Sequence, residues 1–228
     1  MTGIFLQARL ASTRFPRKAL QMLGNRTIVE HCMAALTYVR ADCHVLLTDR
    51  DSAPEFAPLA EQWGFDLFAG SREDVLDRFA RASDRYGVDT VVRATGDNPL
   101  VSPSLANRII AEHHKVEADY SGYLGMPLGT GVEALSRQAL LKADAEATSR
   151  YEREHVAPFI YGHPWIFRTH RPVVERSLQS DARVTIDLAS DLEHVRTLYN
   201  RLYRGLPVEV HEIVTFLSGY IPPQKQSA

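Results

Sequence analysis

Gly3-Ile-Phe-Leu-Gln-Ala-Arg-Leu-Ala-Ser-Thr-Arg-Phe-Pro-Arg-Lys-Ala-Leu20 begins as a short apolar strand, Gly3 to Ala8, and runs into a loop holding Arg9, Arg14, Arg17 and Lys18 but no acid. Ala11, Ser12 and Thr13 are small enough to let the backbone approach an anion. Arginine offers a planar fork of donors there, and lysine a point charge. A basic loop placed directly after a first strand reads as a phosphate site, with a solvated basic loop as the plain alternative. The spacing is not that of a P-loop, and Gly-x-Gly-x-x-Gly is absent.

Beyond this stretch, short apolar runs alternate with amphipathic ones. Helices are expected at Thr27 to Tyr38, about Pro54 to Trp63, and Glu73 to Tyr86, with strands at His44 to Thr48, Phe65 to Ala69 and Thr90 to Ala94. The alternation predicts an α/β fold, a mostly parallel central sheet with helices on both faces and ligands beyond the carboxyl ends of its strands. After about residue 118 the pattern changes. Ala118 to Gly122, Gly131 to Ser136, Trp165 to Thr169 and Arg183 to Ile186 read as strands, and Arg137 to Ala147, Tyr151 to Tyr161 and Leu192 to Arg204 as helices. No linker or repeat separates the halves. The expectation is one domain over 1–228, with a nucleotide-binding half at 1–117, an acceptor-binding half at 118–221 that also carries any dimer contact, and a frayed tail at 222–228.

Composition narrows the function classes. With 45% hydrophobic and 24% charged residues the chain suits a soluble globular protein, and 26 Lys plus Arg against 28 Asp plus Glu leave a net charge of −2. No global positive field is available for nucleic acid or an anionic membrane, so any anion needs a local cluster. The apolar start is far shorter than a signal-peptide core, no stretch is long enough to span a membrane, and a cytoplasmic location is expected. Cys32 and Cys43 lack metal or redox spacing and read as small apolar groups. Trp63 and Trp165 read as core anchors, and His113-His114 as an exposed helix end.

Two further segments carry chemistry. Val91-Val-Arg-Ala-Thr-Gly-Asp-Asn-Pro-Leu100 sends an apolar strand into Thr95, Gly96 and Asp97, and a carboxylate there can hold Mg²⁺ against a polyphosphate or merely cap a turn. Arg183-Val-Thr-Ile-Asp-Leu-Ala-Ser-Asp-Leu-Glu193 likewise ends in Asp187, the better metal candidate, with Asp191 placed as a helix cap. Two strand-end aspartates far apart in sequence can meet at one ion.

These segments resemble the SpsF-like cytidylyltransferases, relatives of the CMP-sialate and CMP-KDO synthetases, nearly from end to end. Gln7 to Leu20 resembles Gln-Ala-Arg-x-x-Ser-Thr-Arg-Leu-Pro-Gly-Lys-x-Leu, Gly70 to Phe79 resembles Gly-x-x-x-Asp-Val-Leu-Asp-Arg, and Val92 to Pro99 resembles Val-Arg-x-Thr-Gly-Asp-x-Pro. Gly129 to Glu133 is similar to Gly-Leu-Asp-Val-Glu, Tyr151 to Pro158 to Arg-Glu-His-Val-x-Pro, and Val184 to Leu192 to Thr-Val-Asp-x-x-x-Asp-Leu. The resemblance implies a GT-A-like nucleotidyltransferase fold, CTP and a small-molecule acceptor as partners, Mg²⁺ as cofactor, and a homodimer.

Carried over by position, it implies catalytic roles for Arg9, Lys18 and Asp97, and metal binding by Asp97 and Asp187. Gln7, Ala8, Arg9, Ser12, Arg14, Lys18, Ser71, Asp74, Arg78, Thr95 and Gly96 would face the nucleotide. Glu133, Arg153, Glu154 and His155 would face the acceptor, a sugar acid or a phosphate or phosphonate. Read without the resemblance, Asp74 and Asp77 pair with Arg78 and Arg81 along a helix, and Glu154 and His155 are ordinary surface residues. Phe15, Arg17 and Thr130 depart from the pattern, Arg17 standing where the family has Gly and Thr130 where it has an acid beside Glu133. A glycosyltransferase consuming a nucleotide sugar and a non-catalytic nucleotide-binding protein remain as alternatives.

Overall fold

Ile4, Phe5 and Leu6 are all fully buried, Ile4 and Leu6 in one apolar layer and Phe5 in the other. A strand turns successive side chains to opposite faces, so an apolar residue at every position requires cover on both. The computed structural model, which describes residues 1–219, provides that cover. Its first half contains β1 (Thr2–Gln7), the small hairpin β2 (Met22–Leu23) and β3 (Arg26–Thr27), α1 (Ile28–Leu36), β4 (Cys43–Asp49), α2 (Ala53–Gln62), β5 (Asp66–Gly70), α3 (Val75–Tyr86), β6 (Thr90–Thr95) and α4 (Pro103–Lys115). The second half adds β7 (Tyr120–Ser121), β8 (Glu133–Ser136), α5 (Arg137–Glu146), α6 (Arg150–His155), α7 (Pro158–Gly162), β9 (Thr169–His170), α8 (Ala189–Leu202) and α9 (Val210–Gly219).

The main sheet has the order β5-β4-β1-β6-β8-β7-β9. β8 runs against both of its neighbours, and the other strands are mutually parallel. Residues from α1, α2, α4, α8 and α9 pack on the Ile4 and Leu6 face, and residues from α3, α5 and α7 on the Phe5 face. From β1 the chain steps out to β4 and β5, then returns to β6 on the other side. That reversal opens a crevice beyond the carboxyl ends of β1 and β6, the usual ligand position in such sheets.

Local signals explain several boundaries. Thr27 and Glu30 form a capping box that starts α1, Ser102 accepts the Leu105 N–H to start α4, and Gly87 ends α3 in a left-handed conformation with φ 61°.

Five expectations need correction. Trp165 to Thr169 is not a strand but a turn that enters β9 only at Thr169. Arg183 to Ile186 is not a strand but extended chain, whose one β-bridge joins Arg183 to Leu128. Trp165 is 75% exposed, beside the two-residue β9, and anchors no core. His113 is 3% exposed and bonded to the Ser121 hydroxyl, and burial pushes its imidazole down to about 4. Tyr151 to Tyr161 is not one helix: it breaks at Val156, fully buried with φ 72°, and restarts with Pro158 at the head of α7. A β-branched residue in that conformation is strained, and it is tolerated where burial of its side chain fixes the turn. The expected tail at 222–228 lies outside the described residues.

Candidate active site

A cavity of about 870 Å³ extends from the ends of β1 and β6 past β8 and β7. Its floor depends on Gly96, whose N–H donates to the Gln7 carbonyl at 2.8 Å. A Cβ there would stand 2.9 Å from that of Ala8 and 3.2 Å from the Gln7 oxygen, so only glycine lets the two strand-end loops touch.

The basic loop is held in place by its neighbours. Leu10 N–H donates to the Ser52 hydroxyl at 3.0 Å, Arg17 N–H to the Leu10 carbonyl at 3.0 Å, and Phe15 N–H to the Ser12 hydroxyl at 3.3 Å. Arg17 has φ 56°, a left-handed conformation that costs a non-glycine residue about 1 kcal/mol. Its guanidinium forks onto Glu55 of α2, and the residue does not line the cavity. The departure from glycine therefore keeps the backbone turn and sends the added charge elsewhere.

Asp97 and Asp187 meet. Lys18 Nζ donates to Asp97 Oδ2 at 2.7 Å, to Asp187 Oδ1 at 2.9 Å and to the Ile186 carbonyl at 2.9 Å. The Ile186 N–H in turn donates to the Asp97 carbonyl, strapping the two segments together. Asp191 Oδ2 accepts from the backbone N–H groups of Asp187 and Leu188, each at 2.8 Å, which makes it the cap its position indicated. Burial raises the Asp187 carboxyl, but Lys18, with Arg14 and Arg183, more than offsets this and leaves it below the usual carboxylate range. Two carboxylates and a carbonyl converging on one cation form a hard oxygen donor set of the kind Mg²⁺ takes, with phosphate and water completing the shell. Among the described residues no cluster of three or more His, Cys, Asp or Glu offers an all-protein cage.

The other nucleotide-side residues separate into two groups. Gln7, Ala8, Arg9, Ser12, Arg14, Arg78, Thr95 and Gly96 line the cavity. Arg9 pairs with Glu154 at 3.1 Å and Arg14 with Asp187 at 3.2 Å. Arg78 is 2% exposed, donates Nη1 to the Ser71 carbonyl at 3.0 Å, and leaves its buried Nε without a partner. Burial pushes its guanidinium down to about 10, so it stays charged at neutral pH. Ser71 and Asp74 do not reach the cavity. Asp74 caps α3 through the Asp77 N–H and accepts from Arg153 Nε at 2.6 Å, not from Arg78 as helical spacing suggests.

On the acceptor side, Glu133, Glu154 and His155 line the cavity and Arg153 does not. Arg153 is fully engaged by Asp74, Asp144 and the Asp144 and Ala147 carbonyls. Glu133 is held by Arg93 and by the Tyr120 hydroxyl at 2.8 Å. Arg93, Tyr120, Tyr161, Arg171 and Arg183 line the cavity without having been singled out in the sequence. Arg183 stands four residues before Asp187, and that spacing was the available signal. The departure assigned to Thr130 also needs correction. Thr130 is fully buried with its hydroxyl on the Pro127 carbonyl. Matched residue for residue, Gly-Leu-Asp-Val-Glu puts the family's acid at Gly131, which does line the cavity.

The family model for cytidylyltransferases matches residues 4–211. The chain belongs to that family. This cytidylyltransferase is 34% identical over 218 residues to an uncharacterized protein of Methanocaldococcus jannaschii, covering 93% of this chain and 88% of the other. It is 30% identical over 221 residues to the spore coat polysaccharide biosynthesis protein SpsF of Bacillus subtilis, covering 93% and 92%. A cytidylyltransferase structure from Leptospira borgpetersenii superposes with a TM-score of 0.87 at 25% identity, covering 95% of this chain and 94% of that one. The cytidylyltransferase is thus a nucleotidyltransferase of GT-A-like fold whose reaction is CTP-dependent transfer of CMP, and the glycosyltransferase alternative is set aside.

Proposed function

We propose that the cavity binds CTP as its Mg²⁺ complex and transfers CMP to a small acidic acceptor in the assembly of a surface polysaccharide or a related conjugate. The observation that carries this reading is the convergence of Asp97 and Asp187 on the Lys18 ammonium beside the basic loop. Arg9, Arg14 and Lys18 exchange their carboxylate partners for the β- and γ-phosphates, and Arg78 offers its unpaired Nε to the nucleotide. A divalent cation bound by Asp97 and Asp187 supplies charge neutralisation at the phosphates under attack. Transfer depends on positioning and on donors aimed at the departing diphosphate, so no activated serine or cysteine is required.

The relation to SpsF supports the polysaccharide role. No helix among the described residues is long and apolar enough to cross a membrane, which accords with work in the cytoplasm. Leu124, Leu128 and Tyr151 are exposed in the half expected to carry any dimer contact, and light scattering tests whether the chain is a homodimer. The test of the whole reading is diphosphate release from CTP and Mg²⁺ over a panel of sugar acids, phosphates and phosphonates. Release with at least one acceptor, greater with CTP than with ATP, GTP or UTP, is expected; turnover of another nucleotide in preference to CTP would overturn it.

A further inference from the structure

β1 turns Phe5 into the apolar layer that holds α3, and Gln7, two residues on, faces the same way at the strand's end. Arg93 of β6 pairs in register with Phe5 of β1 and with Glu133 of β8. Val91 and Leu135, each two residues away from one of these, are buried in that layer, so Arg93 and Glu133 share its side of the sheet with Gln7. The side chains make one hydrogen-bonded line across β7, β8, β6 and β1. The Tyr120 hydroxyl donates to Glu133 Oε1 at 2.8 Å, Arg93 Nη1 donates to Glu133 Oε2, and Arg93 Nε donates to Gln7 Oε1 at 3.1 Å. All four residues line the cavity.

This line has a chemical direction. A guanidinium carries donors and no acceptor, so the Gln7 amide must turn its oxygen to Arg93 and its NH₂ group away from it. Glu133 balances the Arg93 charge, and the Arg93 side chain is only 14% exposed, so the guanidinium is held between its two partners. The Gln7 NH₂ group has no hydrogen-bond partner among the described residues, and turning the amide over would set two donors against each other. The Gln7 carbonyl accepts the Gly96 N–H, one residue before Asp97, and the basic loop leaves directly from Ala8. The free donors therefore stand at the β1 end, where a nucleotide offers phosphoryl and ribose oxygens. A glutamine can ordinarily donate or accept, and Arg93 leaves this one only its donors.

We propose that Gln7 donates a hydrogen bond to an oxygen of the bound nucleotide, and that Arg93 is the positioning residue that fixes the amide in this orientation. The inference rests on the cytidylyl-transfer reading, and its test separates the two. Calorimetry measures binding of Mg²⁺ and the α,β-methylene analogue of CTP to the full chain and its variants. Gln7→Glu keeps the shape and gives Arg93 a stronger acceptor but removes the NH₂ group. Gln7→Met removes both polar ends and adds no charge. Both should weaken binding, about 3- to 10-fold for Gln7→Met and about 10- to 100-fold for Gln7→Glu. A side chain that only anchors Arg93 would leave Gln7→Glu binding like the wild type, and one that never touches the ligand would leave Gln7→Met doing so; either result overturns the assignment. Gln7→Glu retains the Arg93 pair, so its melting temperature should not fall, and its loss of binding is then not a loss of fold.

Arg93→Lys keeps a cation beside Glu133 but not the fixed Nε donor. It should weaken binding about two- to fivefold alone and add nothing to Gln7→Met, and equal losses in both backgrounds would show that Arg93 does not act through Gln7. The 2′-deoxy and 3′-deoxy forms of the analogue tell the two kinds of oxygen apart. A Gln7→Met loss that vanishes with one of them identifies a ribose hydroxyl, and a loss that persists with both identifies a phosphoryl oxygen. Failure of the wild type to bind the analogue would overturn the nucleotide reading and this inference with it, whereas tight binding that Gln7→Met leaves unchanged overturns the inference alone.

Discussion

The two ends of the cavity are prepared for their ligands in opposite ways. At the β1 end, Arg9, Arg14 and Lys18 are all paired with acids that belong to the protein. At the β9 end, Arg171 has only an aromatic ring beneath it. A cluster of cations left unpaired would repel itself, and internal carboxylates relieve this. A single cation at a surface stays hydrated without such help. On the proposed reading, nucleotide binding at the β1 end is an exchange of partners.

The most severe way to break the exchange is to remove a carboxylate at its centre. Asp97→Ala should lower diphosphate release about a thousandfold or more and leave the melting temperature within a few degrees, measured by coupled phosphate assay and circular dichroism. Retained turnover would remove Asp97 from the metal assignment. Lys18→Met sharpens the same point with two opposite readings. Turnover should fall about a hundredfold, while the nucleotide-free protein gains affinity for Mn²⁺ by about tenfold, followed by electron paramagnetic resonance. Mn²⁺ binding no tighter than in the wild type would mean that the ammonium does not compete for the carboxylates.

Smaller effects are expected where pairs are exposed. Glu154→Gln releases Arg9, whose side chain is 42% exposed, and should lower the KM for CTP about two- to fivefold. A rise in that KM would show Glu154 to be positioning Arg9 instead of competing for it. Arg17→Gly removes an exposed pair and relieves a left-handed arginine. These effects oppose each other, so stability should move by about 1 kcal/mol or less in urea and kinetics should not change.

Much of the first half was legible because buried parallel strands are nearly continuous apolar runs, and Ile4 to Leu6, Val45 to Leu47 and Val91 to Val92 are such runs. The meeting of Asp97 and Asp187 was legible from two strand-end carboxylates together with the family pattern. The second half was harder to read for physical reasons. β7 and β9 are two residues each, too short for any period to show, and Val184 and Ile186 are buried in extended chain that pairs by a single bridge. α9 went unread because Val210, Ile213, Val214 and Thr215 favour strands locally, and packing of Val210 and Ile213 overrides that preference. Arg171 carried no motif. It reaches the cavity because β9 pairs with β7, which is a tertiary fact.

The reversal of β8 has a consequence for how such a molecule can change. Parallel strands bring their outgoing loops to the cavity, so the phosphate loop and the Thr95 to Asp97 turn are exits from β1 and β6. β8 brings its incoming one, and Met126 to Val132 reaches the cavity as an entrance. The two sides of the cavity are therefore built by stretches of chain with separate attachment points. Insertions or exchanges between Gly122 and Glu133 would therefore reshape that wall of the cavity while the register of Arg93 on Glu133, and with it the β1 and β6 end, holds.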